Sequence, residues 1–209
     1  MALVDSVAEQ AVLERLVEAS KPPVPREVAA LGLHWLLFTP FRYPPPPGGS
    51  RFRGPNDPGV FYGADQPRTA CAEVGYWRWR HLRDSPELAA MPQRPQTVFR
   101  VPVTGSAVDL RVQPFDRDRA TWTHRTDYAG CQALARTARD AGVQWLRYES
   151  VRDSRHGGCG AVFDATTFAS RAPVEQQGWL LTATRTRVVW QRSDPLAPGV
   201  LEFSAAGWS

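Results

Sequence analysis

Short β-like runs interspersed with helical stretches, without a regular βαβ rhythm, predict an α+β fold: a mixed sheet with flanking helices. Two further observations support that class. No fixed-period repeat runs through the chain, and 209 residues of which 43% are hydrophobic suffice for one buried core.

The first expected element is a helix over residues 3–19, with Val4, Val7, Ala8, Leu13, Leu16 and Val17 roughly on a helical period. Ser6 followed by Glu9 fits a capping box. Proline lacks an N–H and fixes φ, so Lys21-Pro22-Pro23-Val24-Pro25 stops this helix. Residues 1–25 are therefore expected to form a helical arm ahead of a domain over 26–209. The run Pro44-Pro45-Pro46-Pro47-Gly48-Gly49 is stiff and then flexible, and suits either a connector or a ligand for an SH3-like groove.

Gly59–Gly63 reads as a strand after an Asn-Asp-Pro-Gly turn, and Thr69–Leu82 as a helix with Ala70, Glu73 and Trp77 on one face. Trp77 and Trp79 are assigned to packing, as is Cys71. Thr97–Val103 and Ala107–Val112 are β-like around Gly105. Tyr128–Ala141 is an Ala-, Leu- and Arg-rich helix ended by Gly142. Val143–Val151 and Gly160–Phe163 read as strands around a Gly157-Gly158 loop, and Trp179–Trp190 is β-rich.

Composition narrows the function. The formal charge is +4, and Lys21 is the only lysine among the 25 basic residues. This arginine bias has two readings, coding composition or a need for planar forks that grip phosphate and carboxylate. The basic residues lie throughout the chain, and no helix-turn-helix, RNP or zinc module is legible, so nucleic-acid binding by the protein itself is not expected. Charges interrupt Met1–Ser20, and the apolar run Leu31–Phe38 is short, so neither a signal peptide nor a membrane span is expected. Cys71, Cys131 and Cys159 are widely spaced, which suits reduced thiols in a cytoplasm rather than disulfides or zinc. No Walker loop, dinucleotide glycine fingerprint, nucleophile elbow or HExxH helix is present, and His34, His81, His124 and His156 share no spacing. No metal site and no resident cofactor are expected.

One constellation stands out. Gly49-Ser50-Arg51-Phe52-Arg53 precedes Gly59-Val60-Phe61-Tyr62, and Ala70-Cys71-Ala72-Glu73 follows, placing Arg51, Tyr62 and Glu73 on loop, strand and helix. Much later, Ser150 ends an expected strand in Tyr148-Glu149-Ser150-Val151-Arg152. In this order the residues resemble the RES domain family, named for an Arg, a Glu and a Ser, over about residues 36–170. Many relatives read Gly-Gly-Arg-Trp-Asn where this chain reads Gly49-Ser50-Arg51-Phe52-Arg53. Arg53 is thus a second candidate for anion binding, and Asn56 a candidate for the missing Asn.

The resemblance implies an ADP-ribosyltransferase-like fold and an enzyme that cleaves the nicotinamide–ribose bond of NAD. In such a family the acceptor is phosphate, water or a protein, and many members are toxins restrained by a cognate Xre-type antitoxin. The residue chemistry fits independently. An oxocarbenium-like ribose needs negative charge, which Glu73 can supply. A pyrophosphate is clamped by a guanidinium such as Arg51. Tyr62 can stack on the nicotinamide or adjacent ribose, and Ser150 can hydrogen-bond the amide or a phosphate. Arg53, Arg152 and His156 are candidates for a further substrate contact, including the cation that a phosphate acceptor needs. NAD would be a substrate rather than a cofactor. The rival readings are a protein ADP-ribosyltransferase and a catalytically inactive binding module, and the arm could serve antitoxin binding or self-association.

Overall fold

The computed structural model describes residues 6–208. Helix α1 (Val7–Ser20) opens on the capping box: the Ser6 hydroxyl accepts the Glu9 N–H and the Glu9 carboxylate accepts the Ser6 N–H, both at 3.2 Å. Val4 lies outside the described residues. Val12, Leu16 and Val17 are exposed, so α1 stands off the body as an arm. Its ties to the body include Glu18 to Arg42 at 2.6 Å. After the prolines come α2 (Arg26–Ala29) and α3 (Trp35–Arg42), whose apolar run is a helix that buries Leu37 and Phe41.

The body is α+β, built on two four-stranded sheets. The strands of the first are β1 (Phe61–Ala64), β3 (Ala107–Asp109), β4 (Trp145–Glu149) and β5 (Gly158–Val162), in the order β1-β5-β4-β3. Only β3 and β4 run parallel. The second holds β2 (Ala90–Arg100), β6 (Glu175–Thr184), β7 (Arg187–Arg192) and β8 (Val200–Ser204), all antiparallel in that order. Strand β2 starts well before the expected Thr97. It accommodates Pro92 and Pro95 because β2 is an edge strand, where a missing N–H is tolerated, and its register shifts between Met91 and Arg94. The β-rich stretch from Trp179 divides into the β6–β7 hairpin.

Helix α4 (Pro67–Arg83) starts two residues earlier than expected because Pro67 takes the first helical position, where its fixed φ is already helical. It packs Cys71, Ala72, Tyr76 and Trp79 on the second sheet and also contacts β1 and β5. Trp77 corrects its assignment to packing: it is 45% exposed, facing outward beside the Arg80 guanidinium. After the short α5 (Arg119–Trp122), α6 (Ala129–Asp140) covers the first sheet through Cys131, Ala135 and Ala138, together with Phe52, Leu146 and Tyr148. It ends as expected at Gly142, whose φ of +75° lies in the left-handed region. A third cluster joins α3 to β1 through Phe41, Phe61 and Phe168. Among the described residues, no helix is long and apolar enough to cross a membrane.

Candidate active site

The loop carrying Arg51 is shaped by its neighbours. Gly48 and Gly49 have φ of +82° and +79°, and a Cβ on Gly49 would stand 2.1 Å from the Arg53 carbonyl oxygen. Only glycine lets the chain turn so tightly there. Phe52 is fully buried, with its ring edge against Tyr148 at 4.8 Å. Burying Phe52 fixes the loop and leaves Arg51 directed along the sheet end. The Arg51 side chain donates through Nη1 to the carbonyls of Trp122 (2.7 Å) and His124 (2.9 Å), and its guanidinium lies 4.8 Å from the Tyr128 ring.

Tyr62 faces the same loop. Its hydroxyl accepts the Phe52 N–H at 2.9 Å and shares a hydrogen bond with the Ser50 hydroxyl at 2.8 Å. Burial of that hydroxyl pushes its pKa up, although the residue as a whole is 37% exposed. Ser50, which stands where relatives carry a second glycine, is thus used to hold Tyr62. Arg53 points elsewhere: it donates to the carbonyls of Asp57 (3.2 Å) and Tyr43 (2.9 Å), and burial holds its pKa below the usual value. Asn56 is exposed, and in the same turn Asp57 accepts the Gly54 N–H at 2.7 Å.

Glu73 and Ser150 meet at 2.5 Å. The direction of that bond follows from counting. The Ser150 hydroxyl, fully buried, accepts the backbone N–H groups of Arg152 (3.1 Å) and Asp153 (3.0 Å). With both lone pairs taken, its one hydrogen goes to the Glu73 carboxylate. Burial pushes the Glu73 carboxyl above the usual 4.5, opposed by the Ser150 hydrogen bond and by the charges of Arg152 and Arg51. Asp153 works in the direction of burial. Arg152 itself is buried, its guanidinium 3.5 Å from the Tyr76 ring and hydrogen-bonded to the Arg125 carbonyl at 2.5 Å.

His156 takes a different partner. It has φ of +52°, and its exposed ring reaches Glu149 at 3.5 Å, a carboxylate already held bidentately by Arg119. Its neighbour Gly157 is required for close approach, since a Cβ there would be 2.1 Å from the Thr69 hydroxyl. Thr69 in turn donates to Asp153 at 2.9 Å, locking the 150–157 loop onto α4. Arg51, Glu73, Ser150 and Arg152 are therefore brought into one electrostatic cluster, with Tyr62 tied to the Arg51 loop; Arg53 and His156 are bonded outside it.

Tyr76, Tyr128, Thr69 and Asp153 were not singled out by sequence reasoning. Tyr76 had a usable signal, being three residues after Glu73 and so beside it on a helix. The others belong to no local pattern. The thiols are reserved for packing: all three are free and buried, and burial pushes Cys71 up to about 12. A groove of about 510 Å³ runs between edge strands β1 and β2 over the first half of α4; Tyr62 borders it, whereas Arg51, Glu73, Ser150 and Arg152 do not line it.

The fold and cluster define an α+β domain with a half-buried carboxylate that feels the charges of two guanidiniums. The chain belongs to the RES domain family, whose model matches residues 24–184. That family is known in toxin–antitoxin systems and is associated with NAD-acting enzymes. No curated protein matches the chain significantly.

Proposed function

We propose that the protein consumes NAD by cleaving the bond between nicotinamide and ribose, with phosphate or water as acceptor, as the toxin of a bacterial toxin–antitoxin pair. The observation that carries this reading is the Ser150–Glu73 bond at 2.5 Å within reach of the Arg51 and Arg152 charges. The reaction needs one negative group at C1′ and positive groups for the pyrophosphate, and this cluster holds both. The C1′–N bond breaks with its electron pair moving to the nicotinamide nitrogen, so neutral nicotinamide leaves. The cationic ribose is stabilised by the ionised Glu73 until an oxygen of phosphate or water bonds to C1′. A water acceptor then loses a proton to solvent. Ser150 holds the carboxylate in place, Arg51 and Arg152 face the phosphates, and Tyr62 orients the nicotinamide end.

An enzyme that drains NAD needs restraint, so the partner is a cognate Xre-type antitoxin protein that occludes this site. The NAD pool and the reduced thiols suit a cytoplasmic location. Purified protein incubated with NAD, with and without phosphate, tests the reading by chromatography of nicotinamide and the ADP-ribosyl products. Nicotinamide release that falls at least about 100-fold in Glu73→Gln is the expected result. Intact NAD with the wild type, or undiminished turnover in the variant, overturns it.

A further inference from the structure

The residues past the family match carry a connection into the site. Trp208, in the last described turn, is buried and donates its indole N–H to the carbonyl oxygen of Arg152 at 2.8 Å. Its ring meets Tyr76 edge-on at 5.9 Å, and Tyr76 lies beneath the Arg152 guanidinium. One indole thus holds Arg152 at both ends, directly at the backbone and through Tyr76 at the side chain. Phe203 on β8 adds a parallel support. It lies 4.8 Å from the Arg68 guanidinium, which sits 3.4 Å from Asp153.

We infer that Trp208 is a positioning residue for Arg152 and, through it, for the Ser150–Glu73 pair. The Arg152 carbonyl and N–H belong to the peptide units either side of one Cα. That N–H is one of the two donors that leave the Ser150 hydrogen pointing at Glu73. Releasing the carbonyl lets the 150–153 turn rotate, which misdirects the Ser150 hydroxyl and loosens the guanidinium together. The titratable and charged groups facing Glu73 are Arg51 from its loop, Arg152 and Asp153 from the 150–157 loop, Tyr148 from β4 and Cys159 from β5. Loss of Trp208 makes both of these changes, and each removes support for the ionised carboxylate, so the Glu73 midpoint moves up.

This inference rests on Glu73 being the acting carboxylate, but its test does not need turnover. Carbon-13 NMR of glutamate-labelled protein, with Glu73 assigned by its loss in Glu73→Gln, follows the carboxyl through a pH titration. Trp208→Phe is expected to raise the Glu73 midpoint by about half a pH unit or more. The control is Trp179→Phe, which removes another indole bond of the same core, Trp179 to the Gln177 side-chain carbonyl at 3.1 Å. It is expected to leave the midpoint unchanged. Should Trp208→Phe not fold, replacing Trp208 with 3-benzothienylalanine keeps the ring shape and removes only the N–H. An unmoved midpoint in the Trp208 variants, or an equal shift in Trp179→Phe, overturns the inference. A shift specific to Trp208 in a protein that leaves NAD intact upholds the positioning role and removes the NAD reading instead.

Discussion

Glu73 sets a conflict between stability and activity. Its carboxyl is raised above the usual 4.5 by burial, despite Ser150, Arg152 and Arg51. A carboxyl raised in the folded state adds its full stability below the unfolded value and loses it as pH rises through the folded one. Once pH has risen through the folded value, the charge on this half-buried Glu73 therefore opposes folding. Glu73→Gln is expected to melt at a higher temperature than the wild type at pH 7.5, with the gap closing as pH falls below about 4.5. Parallel thermal melts at the two pH values check this, and a lower Tm for the variant at pH 7.5 contradicts it. For the same reason the acidic limb of kcat/KM for NAD is expected above the ordinary glutamate range, because the working form is the carboxylate. Arg51 makes a complementary case. Its fork spends Nη1 on two carbonyls, which aims the remaining donors. A lysine ammonium lacks the planar fork that holds these carbonyls while aiming further donors, so Arg51→Lys is expected to raise KM for NAD about 10-fold or more in steady-state assays.

Helix α6 meets Arg51 through Cys131 and also acts on the site through the loop that presents Arg51. Gln132 Nε2 faces the carbonyls of Gly48 (3.1 Å), Ser50 (3.0 Å) and Arg53 (3.4 Å), and Arg139, two turns on, donates to Phe52 at 3.3 Å. The spacing puts both on one helical face, so α6 clamps the loop that presents Arg51. Gln132→Ala is expected to speed amide hydrogen exchange at Phe52 and Arg53 while α4 stays protected, at a cost of about 1–2 kcal/mol. Uniform acceleration, or none, contradicts the clamp. None of this was legible from the sequence, where Gln132 is one polar position in a helix read for its Ala, Leu and Arg content. What was legible had local causes. The cap at Ser6, the stop at Gly142 and the helix bearing Glu73 each rest on neighbouring residues alone. Arg51, Glu73 and Ser150 became candidates through their order along the chain, but that order could not separate Arg53 from Arg152. Their different fates are set by the local turn that ties Arg53 to the Tyr43 carbonyl and by the closure of Arg152 onto Tyr76, 76 residues away.

The family match ends at residue 184, yet the second sheet does not. Strands β7 and β8 and the turn after them supply Val188, Trp190, Phe203, Ala205 and Trp208 to the core under α4. Val188 and Phe203 alone contribute about 1.5–3 kcal/mol each by leaving water, and the two tryptophans bury still larger rings. That total is comparable to the entire net stability of a domain, about 5–15 kcal/mol. Helix α1 differs in kind: Val12, Leu16 and Val17 are exposed, and Glu18 meets Arg42 at the surface, where solvent screens the pair. Two truncations therefore separate sharply. Removing residues 1–20 is expected to shift Tm by no more than about 4 °C. Ending the chain after Arg185 keeps the whole matched span but exposes one side of α4 and strands β6 as an unpaired edge. That form is expected to show no cooperative thermal transition by circular dichroism and to lose the Arg152 anchor at Trp208. A cooperative melt of residues 1–185 near the wild-type Tm would show that the matched span folds alone, and the last hairpin would then be an accessory rather than part of the core that positions Glu73.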